Sequence, residues 1–442
     1  MIVYPIGSRP LGLVTLAYRI GEIMKKRTGV LLSTATALSM LLSFSLIGSA
    51  NAGNSNELRL HGNSTNKPAI DAIIKAFNAT NPGIRITPTY YGVSDGQAAM
   101  LTQLLAGTAA DILQAYPGSG AVNSVIALAE NDYIAPLTYR PWSKYVAKND
   151  RSLRYKGTIV GVPQTAQGVG YIYSKNILKK AGLTPPTKWS EVKTYCQAAK
   201  AKGTPAYGAP WATGWPTIMH SYATTATMVY AKDPDFTEKQ YKKQTSFAGS
   251  AWVKSFEMLQ DMNTWGCFQA SPNSTTYAMI QEQLAAGKVL GWLGLPTVIP
   301  ALKALNASEE WSFAAHPATE NAAETFIPSA NLVTFALNKK ASSNVFARRF
   351  MDFLGTSTAL EIQVRLSGGI PSIPLAGYVP SSPAISDIMA YRAKGKFFPF
   401  IDHQWKAPQI QQALIAGVQG MFAGTETPKS IAEKMDDALL KN

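Results

Sequence analysis

Apolar and polar positions alternate along the chain with two periods, and the order of those periods predicts the architecture. In "ELRLHGNSTNKPAIDAIIKAFNATNPGIRITPTYYG" the stretch "LRLH" reads as a short strand. Ile70, Ile73, Ile74 and Phe77 then recur at the spacing of one helix face. Asn81-Pro82-Gly83 ends that helix and "IRIT" begins a second strand, a β-α-β unit that implies a parallel pair with a crossover. A helix "QAAMLTQLLAG" stopped at Gly107 and a strand "DILQAY" continue the alternation, which belongs to an α/β layer.

Helical patterns dominate residues 187–311. Val192, Tyr195, Cys196 and Ala199 share a face, so Cys196 is expected to point inward. "WVKSFEMLQDMNTWG" and "YAMIQEQLAAG" are further helices, and "KVLGWLG" reads as a buried strand. "NLVTFALNKKA" (Asn331 to Ala341) alternates as a strand. "NVFARRFMDFLG" puts Phe346, Phe350, Phe353 and Leu354 on one helix side, with Gly355 as the expected cap. A last amphipathic helix lies near "TPKSIAEKMDDALLKN".

The N-terminus changes the picture from fold to address. "MKKRTGV" is a positive segment, "LLSTATALSMLLSFSLIG" is apolar, and Ala50-Asn51-Ala52 offers a small-residue cleavage site. The expectation is a cleaved export signal over residues 1–52 rather than a membrane span, with Met24 as an alternative start to Met1. The two cysteines, Cys196 and Cys267, both fall in the exported part, where a disulfide or a pair of buried thiols would each suit the apolar contexts. The chain has 442 residues and a net charge of +14, which favours anionic partners in general. No basic block interleaved with aromatics points to nucleic acid.

The segment "YKGTIVGVPQTAQGVGYIYSKNILKKAGLTPPTKWSEV" places small, polar and glycine residues inside an apolar run. It resembles the longest signature of the family 1 extracellular solute-binding proteins, the sugar-type receptors of ABC importers. "AFNATNPGIRI", "LLAGTAADIL", "RRFMDFLGTSTA" and "GGIPSIP" resemble other signatures of that family in the same order, so the likeness covers residues 57–442. Departures are Ala110 for the usual Pro, Ser174 for the Asn of Tyr-Asn-Lys, "GLPT" (Gly294 to Thr297) in place of Gly-Ser-Trp, and "IPSAN" where Gly-Gly is frequent.

The resemblance implies a two-lobed periplasmic-binding-protein fold of type II. Each α/β lobe is then a mixed sheet flanked by helices, with a ligand cleft between the lobes. It divides the chain into a first lobe of residues 53–166 and 328–378 and a second of 167–327 and 379–442. It implies a periplasmic monomer that needs no cofactor or metal, captures a carbohydrate (sugar, oligosaccharide or an acidic or phosphorylated one) and delivers it to permease subunits in the inner membrane.

A sugar has an apolar face and a rim of hydroxyls, so its site calls for aromatic platforms and amide or hydroxyl groups. The chain's 9 Trp and 19 Tyr supply platforms. Trp211 and Trp215 in the Gly/Pro loop "APWATGWPT", Tyr116 after "DILQA" and Trp405 in "DHQW" are the candidates. Asn63, Ser64 and Thr65 follow the first strand at its carboxyl end, where open α/β sheets bind ligands. Gln164 and Gln167, at the crossing between lobes, offer amides, and Thr297 and Gly369 complete the expected set. Trp252, Trp265 and Trp311 read as structural. His61, His220, His316 and His403 stand apart without metal spacing, and GxSxG, Walker A and GxGxxG do not occur. A secreted polysaccharide-active enzyme, which needs only two carboxylates, is the alternative reading, and an adhesive exported domain a third.

Overall fold

A computed structural model describes residues 55–146 and 150–440. The leader and its expected cleavage site after Ala52 lie outside the described residues. The first sheet forms as the alternation requires. Strand β1 (Glu57–Asn63) pairs in parallel with β2 (Arg85–Tyr91) across the helix Lys67–Thr80, which buries Ile70, Ile73, Ile74 and Phe77. Strand β3 (Ile112–Ala115) joins β1 on the other side, also in parallel. The helix between β2 and β3, Val93–Leu105, ends two residues before Gly107, whose φ of +71° accounts for the glycine.

A short ribbon, β4 (Arg154–Tyr155) with β5 (Thr158–Ile159), leads into β6 (Val162–Gly168). After a single residue, Val169, the chain re-enters a different sheet as β7 (Gly170–Ser174), flanked by β8 (Gly291–Gly294) and β9 (Trp311–Ala314). The long strand β10 (Ile327–Leu337) returns antiparallel to both β3 and β6. Strand β11 (Ile370–Pro371) closes the order β11-β6-β10-β3-β1-β2, and β12 (Phe397–Phe398) pairs with the start of β10. The first sheet is therefore mixed, three parallel strands finished by antiparallel ones.

The two sheets carry separate cores. Leu58, Leu60, Ile112, Phe77, Phe350 and Leu354 pack about the first. The second sheet is buried on both faces: Tyr171 enters one cluster with Trp252 and Trp405, and its neighbour Ile172 enters another with Trp292 and Trp311. Adjacent residues pointing to opposite faces explain why this strand reads as an unbroken apolar run.

One local expectation differs from what forms. Strand β10 starts at Ile327 and ends at Leu337, because the Asn338 side chain accepts from Lys340 N (3.0 Å) and opens a 3₁₀ turn. Gly355 caps the helix Val345–Leu354 as expected, with φ −89° and its N–H donating to Asp352 O and Phe353 O. It is glycine because a Cβ there would come within 2.2 Å of the Trp142 indole. The glycines at the sheet crossing are likewise matters of packing: a Cβ on Gly170 would lie 2.3 Å from the Phe313 ring, and one on Gly168 would lie 2.9 Å from Ile388.

The two cysteines are joined. Cys196, on the buried face of the helix Trp189–Ala201, is disulfide-bonded to Cys267, just beyond the helix Ala251–Thr264, with Cα atoms 4.7 Å apart. Of the two readings left open by the sequence, the structure takes the bond.

All four histidines are held below the ordinary imidazole value by burial. His220 is pushed down to about 4, and His316, edge-on to it at 5.2 Å between ring centres, lies well below its usual value. Unfolded imidazoles titrate near 6.5, so between that pH and about 4 the unfolded chain binds protons that the folded chain refuses. Stability is then complete above pH 6.5 and falls as the pH drops. Through His220, held down to about 4, this is worth up to about 1.4 kcal/mol per pH unit in that window, and the other three act in the same direction. Asp387 and Asp436, raised by burial, act in the opposite sense but from ordinary values of 3.8. Urea unfolding should show stability about 2 kcal/mol or more lower at pH 5 than at pH 7. Equal midpoints and slopes at the two pH values would refute this account.

Candidate functional site

A cleft of about 560 Å³ opens between the two sheets, within the range of roughly 300–1,000 Å³ usual for small-molecule sites. Its floor is where the chain crosses: Val169 between β6 and β7, with Leu332 and Val333 of β10. One wall is built at the carboxyl ends of β1 and β3. Asn63, the last residue of β1, receives its backbone bond geometry from the neighbouring strand, its N–H donating to Gln114 Oε1 at 2.7 Å. Its side chain accepts from Thr65 N (3.0 Å) and donates to the Tyr116 hydroxyl (3.4 Å). Burial raises the Tyr116 phenol above its ordinary value, so it stays protonated and can both donate and accept.

The opposite wall is aromatic and amide-rich. Gly214, at φ +83°, turns the chain between two 3₁₀ segments and presents Trp215. That indole meets Tyr277 at 5.2 Å and the buried Trp292 at 5.9 Å between ring centres, which holds its orientation. Gln281, one helical turn after Tyr277, lines the same wall. Burial pushes the Tyr277 phenol up to about 12. Further along, Gln411 donates to Asp402 Oδ2 (3.2 Å) and to the Tyr222 hydroxyl (3.5 Å). Burial, then the Asp402 carboxylate, keep Tyr222 protonated well past the usual phenol range. His403 beside them is lowered by burial even though Asp402 and Asp150 pull the other way, so its imidazole is neutral near pH 7.

The walls touch at one edge. Gly120 and Gly118, in the loop after β3, lie against the 3₁₀ turn Ile401–Gln404 so closely that added Cβ atoms would sit 2.2 Å from Asp402 O and 2.3 Å from His403 Cα. Positions 118 and 120 leave no room for a Cβ, while Ser119 between them donates its hydroxyl to His403 O at 3.4 Å.

Of the residues expected from the sequence, Asn63, Thr65, Tyr116, Trp215 and Thr297 line the cleft together. Six lie elsewhere, for identifiable reasons. Ser64 sits in the exposed 3₁₀ turn capped by Asn63. Gln164 and Gln167 are wholly buried, donating to Leu354 O (2.8 Å) and Gly368 O (3.4 Å), so their amides tie the first sheet to the segments beside it. Gly369 is buried against Gln167 and Thr165. Trp211 packs its ring on Phe422 (4.1 Å) and Phe268 (5.4 Å). Trp405 is fully enclosed among Tyr222, Phe247 and Trp252. The Gly/Pro loop made Trp211 look available and the polar run "DHQW" did so for Trp405, but both indoles pack into the second core. Trp252 and Trp311 are fully buried, as their patterns indicated.

The sequence reading missed Gln97, Gln114, Tyr222, Tyr277, Gln281, Asp402, His403 and Gln411. The i, i+4 pair Tyr277 and Gln281 carried a usable signal, an aromatic and an amide on one helix face. Tyr222 and Asp402 did not, because each reads locally as an ordinary helix or loop residue. Ser174, a departure from the family pattern, has a local role: it caps the helix Lys175–Ala181, accepting from Ile177 N at 3.1 Å, and bonds to Glu309.

The model for bacterial extracellular solute-binding proteins matches residues 61–360. The chain belongs to this family. Among curated relatives, the sn-glycerol-3-phosphate-binding periplasmic protein UgpB of Escherichia coli K12 is 26% identical over 257 residues, 53% of this chain and 55% of the relative. The chain thus spans about half the length of the curated relatives it matches. Solved structures extend the likeness in fold. The GacH receptor of Streptomyces glaucescens, studied free and with acarbose, superposes with a TM-score of 0.72 at 18% identity over 88% of this chain and 98% of that one. A sugar transporter of Bacillus licheniformis in complex with stachyose gives 0.70 at 18% identity over 87% and 99%. The family member thus has the expected two-lobed α/β fold. Its family and neighbours are binding proteins and lend no support to the enzyme reading.

Proposed function

We propose that this family member is the substrate-binding component of an ABC importer that captures a sugar or oligosaccharide in the cleft and delivers it to the membrane permease. The observation that carries this reading is the cleft itself. It sets an indole and three phenols among six carboxamide side chains, the groups that meet the apolar face and hydroxyl rim of a sugar. Residues 53–166 with 328–378, and 167–327 with 379–442, act as the two lobes. Ligand docks on one, and closure brings the other against it. The glycine seam at Gly118 and Gly120 suits such closure, since backbone meets backbone there. Asn63, Thr65, Tyr116, Trp215 and Thr297 contact ligand. The protein works as a monomer in the periplasm, exported by a leader removed after Ala52, and it does not consume its ligand.

The test is a calorimetric and thermal-shift screen of the exported protein against mono-, di- and oligosaccharides, sugar phosphates and uronates, with the mass of the recovered chain reading the leader. A bound carbohydrate should raise Tm and be recovered unchanged. Trp215→Ala should then weaken affinity by about 2 kcal/mol, roughly thirtyfold, without unfolding the protein. A ligand that is cleaved, or a Trp215→Ala variant of full affinity, would count against the reading.

A further inference from the structure

The chain is strongly basic, and its curated relatives are named for a phosphate ester, yet the charges at the cleft run the other way. Among the described residues that line it there is neither Lys nor Arg. The ionisable carboxylate and imidazole there are those of Asp402 and His403. Lys67, next in sequence to the lining residues Asn66 and Pro68, has its ammonium on Asp71 Oδ2 at 2.6 Å. Of the long helices that start at the cleft, Val93–Leu105 carries Asp95 in its first turn, which offsets the positive end of its dipole, while Lys67–Thr80 and Pro408–Phe422 carry no acid there and offer only dipole ends, not charged side chains aimed at a ligand.

Asp402 is held rather than free. Its Oδ2 accepts from Gln411, and the carboxylate lies by the Tyr222 hydroxyl, while Oδ1 meets no donor from the described chain. A carboxylate is an acceptor only, so it bonds well to a hydroxyl and repels an oxyanion. A phosphate monoester carries a charge of about −1.5 to −2 near pH 7, and its burial calls for cationic side chains or several N–H donors converging on its oxygens. The neutral imidazole of His403 does not supply one. The lining carboxamides, Asn63, Asn66, Gln97, Gln114, Gln281 and Gln411, pair donors with acceptors as hydroxyls do.

We infer that the cleft selects an uncharged polyhydroxylated ligand over its phosphorylated counterpart, and that Asp402 is the residue that sets this preference. The inference rests on the carbohydrate-capture reading and narrows its substrate class. The chain's excess of Lys and Arg then has no counterpart among the described residues that line the cleft.

Calorimetry of the exported protein with matched probes tests it: glucose against glucose 6-phosphate, trehalose against trehalose 6-phosphate, maltose and raffinose, and sn-glycerol 3-phosphate. The neutral sugar that binds should exceed its phosphate partner at least about a hundredfold in affinity, the scale on which a site rejects a group it cannot satisfy. Asp402→Asn should narrow that ratio by about tenfold while the far-UV spectrum and Tm report a folded chain. A phosphorylated probe that binds as tightly as its neutral partner overturns the inference and leaves carbohydrate capture standing. Binding of none of the probes, neutral or charged, overturns capture itself. An unchanged ratio in a folded Asp402→Asn variant removes Asp402 from the role, and the wild-type comparison stands whether or not that variant folds.

Discussion

Trp405→Ala should destabilise the protein by about 3–5 kcal/mol, the usual cost of emptying a packed indole site. The residue sits in a loop sequence, "DHQW", that suggests a surface aromatic. The structure instead encloses the indole completely, among the rings of Tyr222, Phe247 and Trp252 at 6.0–6.3 Å between centres. Removing it opens a void that the surrounding rings cannot fill, because they are themselves held by neighbours: Trp252 by Phe256, Phe247 by Phe236. Urea unfolding followed by circular dichroism reads the loss directly. Trp215→Ala is the control, since that indole is only partly buried, and its cost should stay near 1 kcal/mol. Equal stability losses at the two positions would contradict the division between a core indole and a cleft indole.

The double replacement Cys196→Ala, Cys267→Ala should cost a similar amount. The bond closes a loop with a sequence separation of 71 residues. In the chain-entropy model a loop of that size restricts the unfolded state by about 4 kcal/mol. It ties the buried face of the helix Trp189–Ala201 to the exit of the helix Ala251–Thr264, both in the second core. The wild type and the double variant should therefore differ in urea midpoint while sharing a folded spectrum. Thiol titration of the denatured, unreduced protein should find no free thiol, and two per chain would refute the bond.

The fold was largely legible because its determinants are local and periodic. The spacing Ile70, Ile73, Ile74, Phe77 makes a helix with one apolar face whatever it packs on, and a β-α-β order then forces a parallel pair. The one run that resisted a local reading, "VPQTAQGVGY", did so because a single residue, Val169, separates two strands of different sheets. Its small residues are required by Phe313 and Ile388, which come from distant parts of the chain.

The cleft was most legible at its first wall, and beyond it only Trp215 and Thr297 were named. Asn63, Thr65 and Tyr116 follow strand ends, and the rule that open sheets bind ligands there depends on topology, which periodicity reveals. Residue type could not separate Trp215 from Trp211 and Trp405. All three are indoles in irregular segments, and what differs is which side of the loop meets the second core. Asp402, Tyr222 and Gln411 come together from a 3₁₀ turn and two helices, and no spacing along the chain encodes that meeting. By itself the sequence determined the elements, the parallel layer and the family, because each rests on neighbours in the chain. The tertiary structure decided which aromatics face the cleft, that Cys196 meets Cys267, and that the cleft holds a carboxylate in a basic protein. Each of those depends on distances across the fold that local periodicity does not carry.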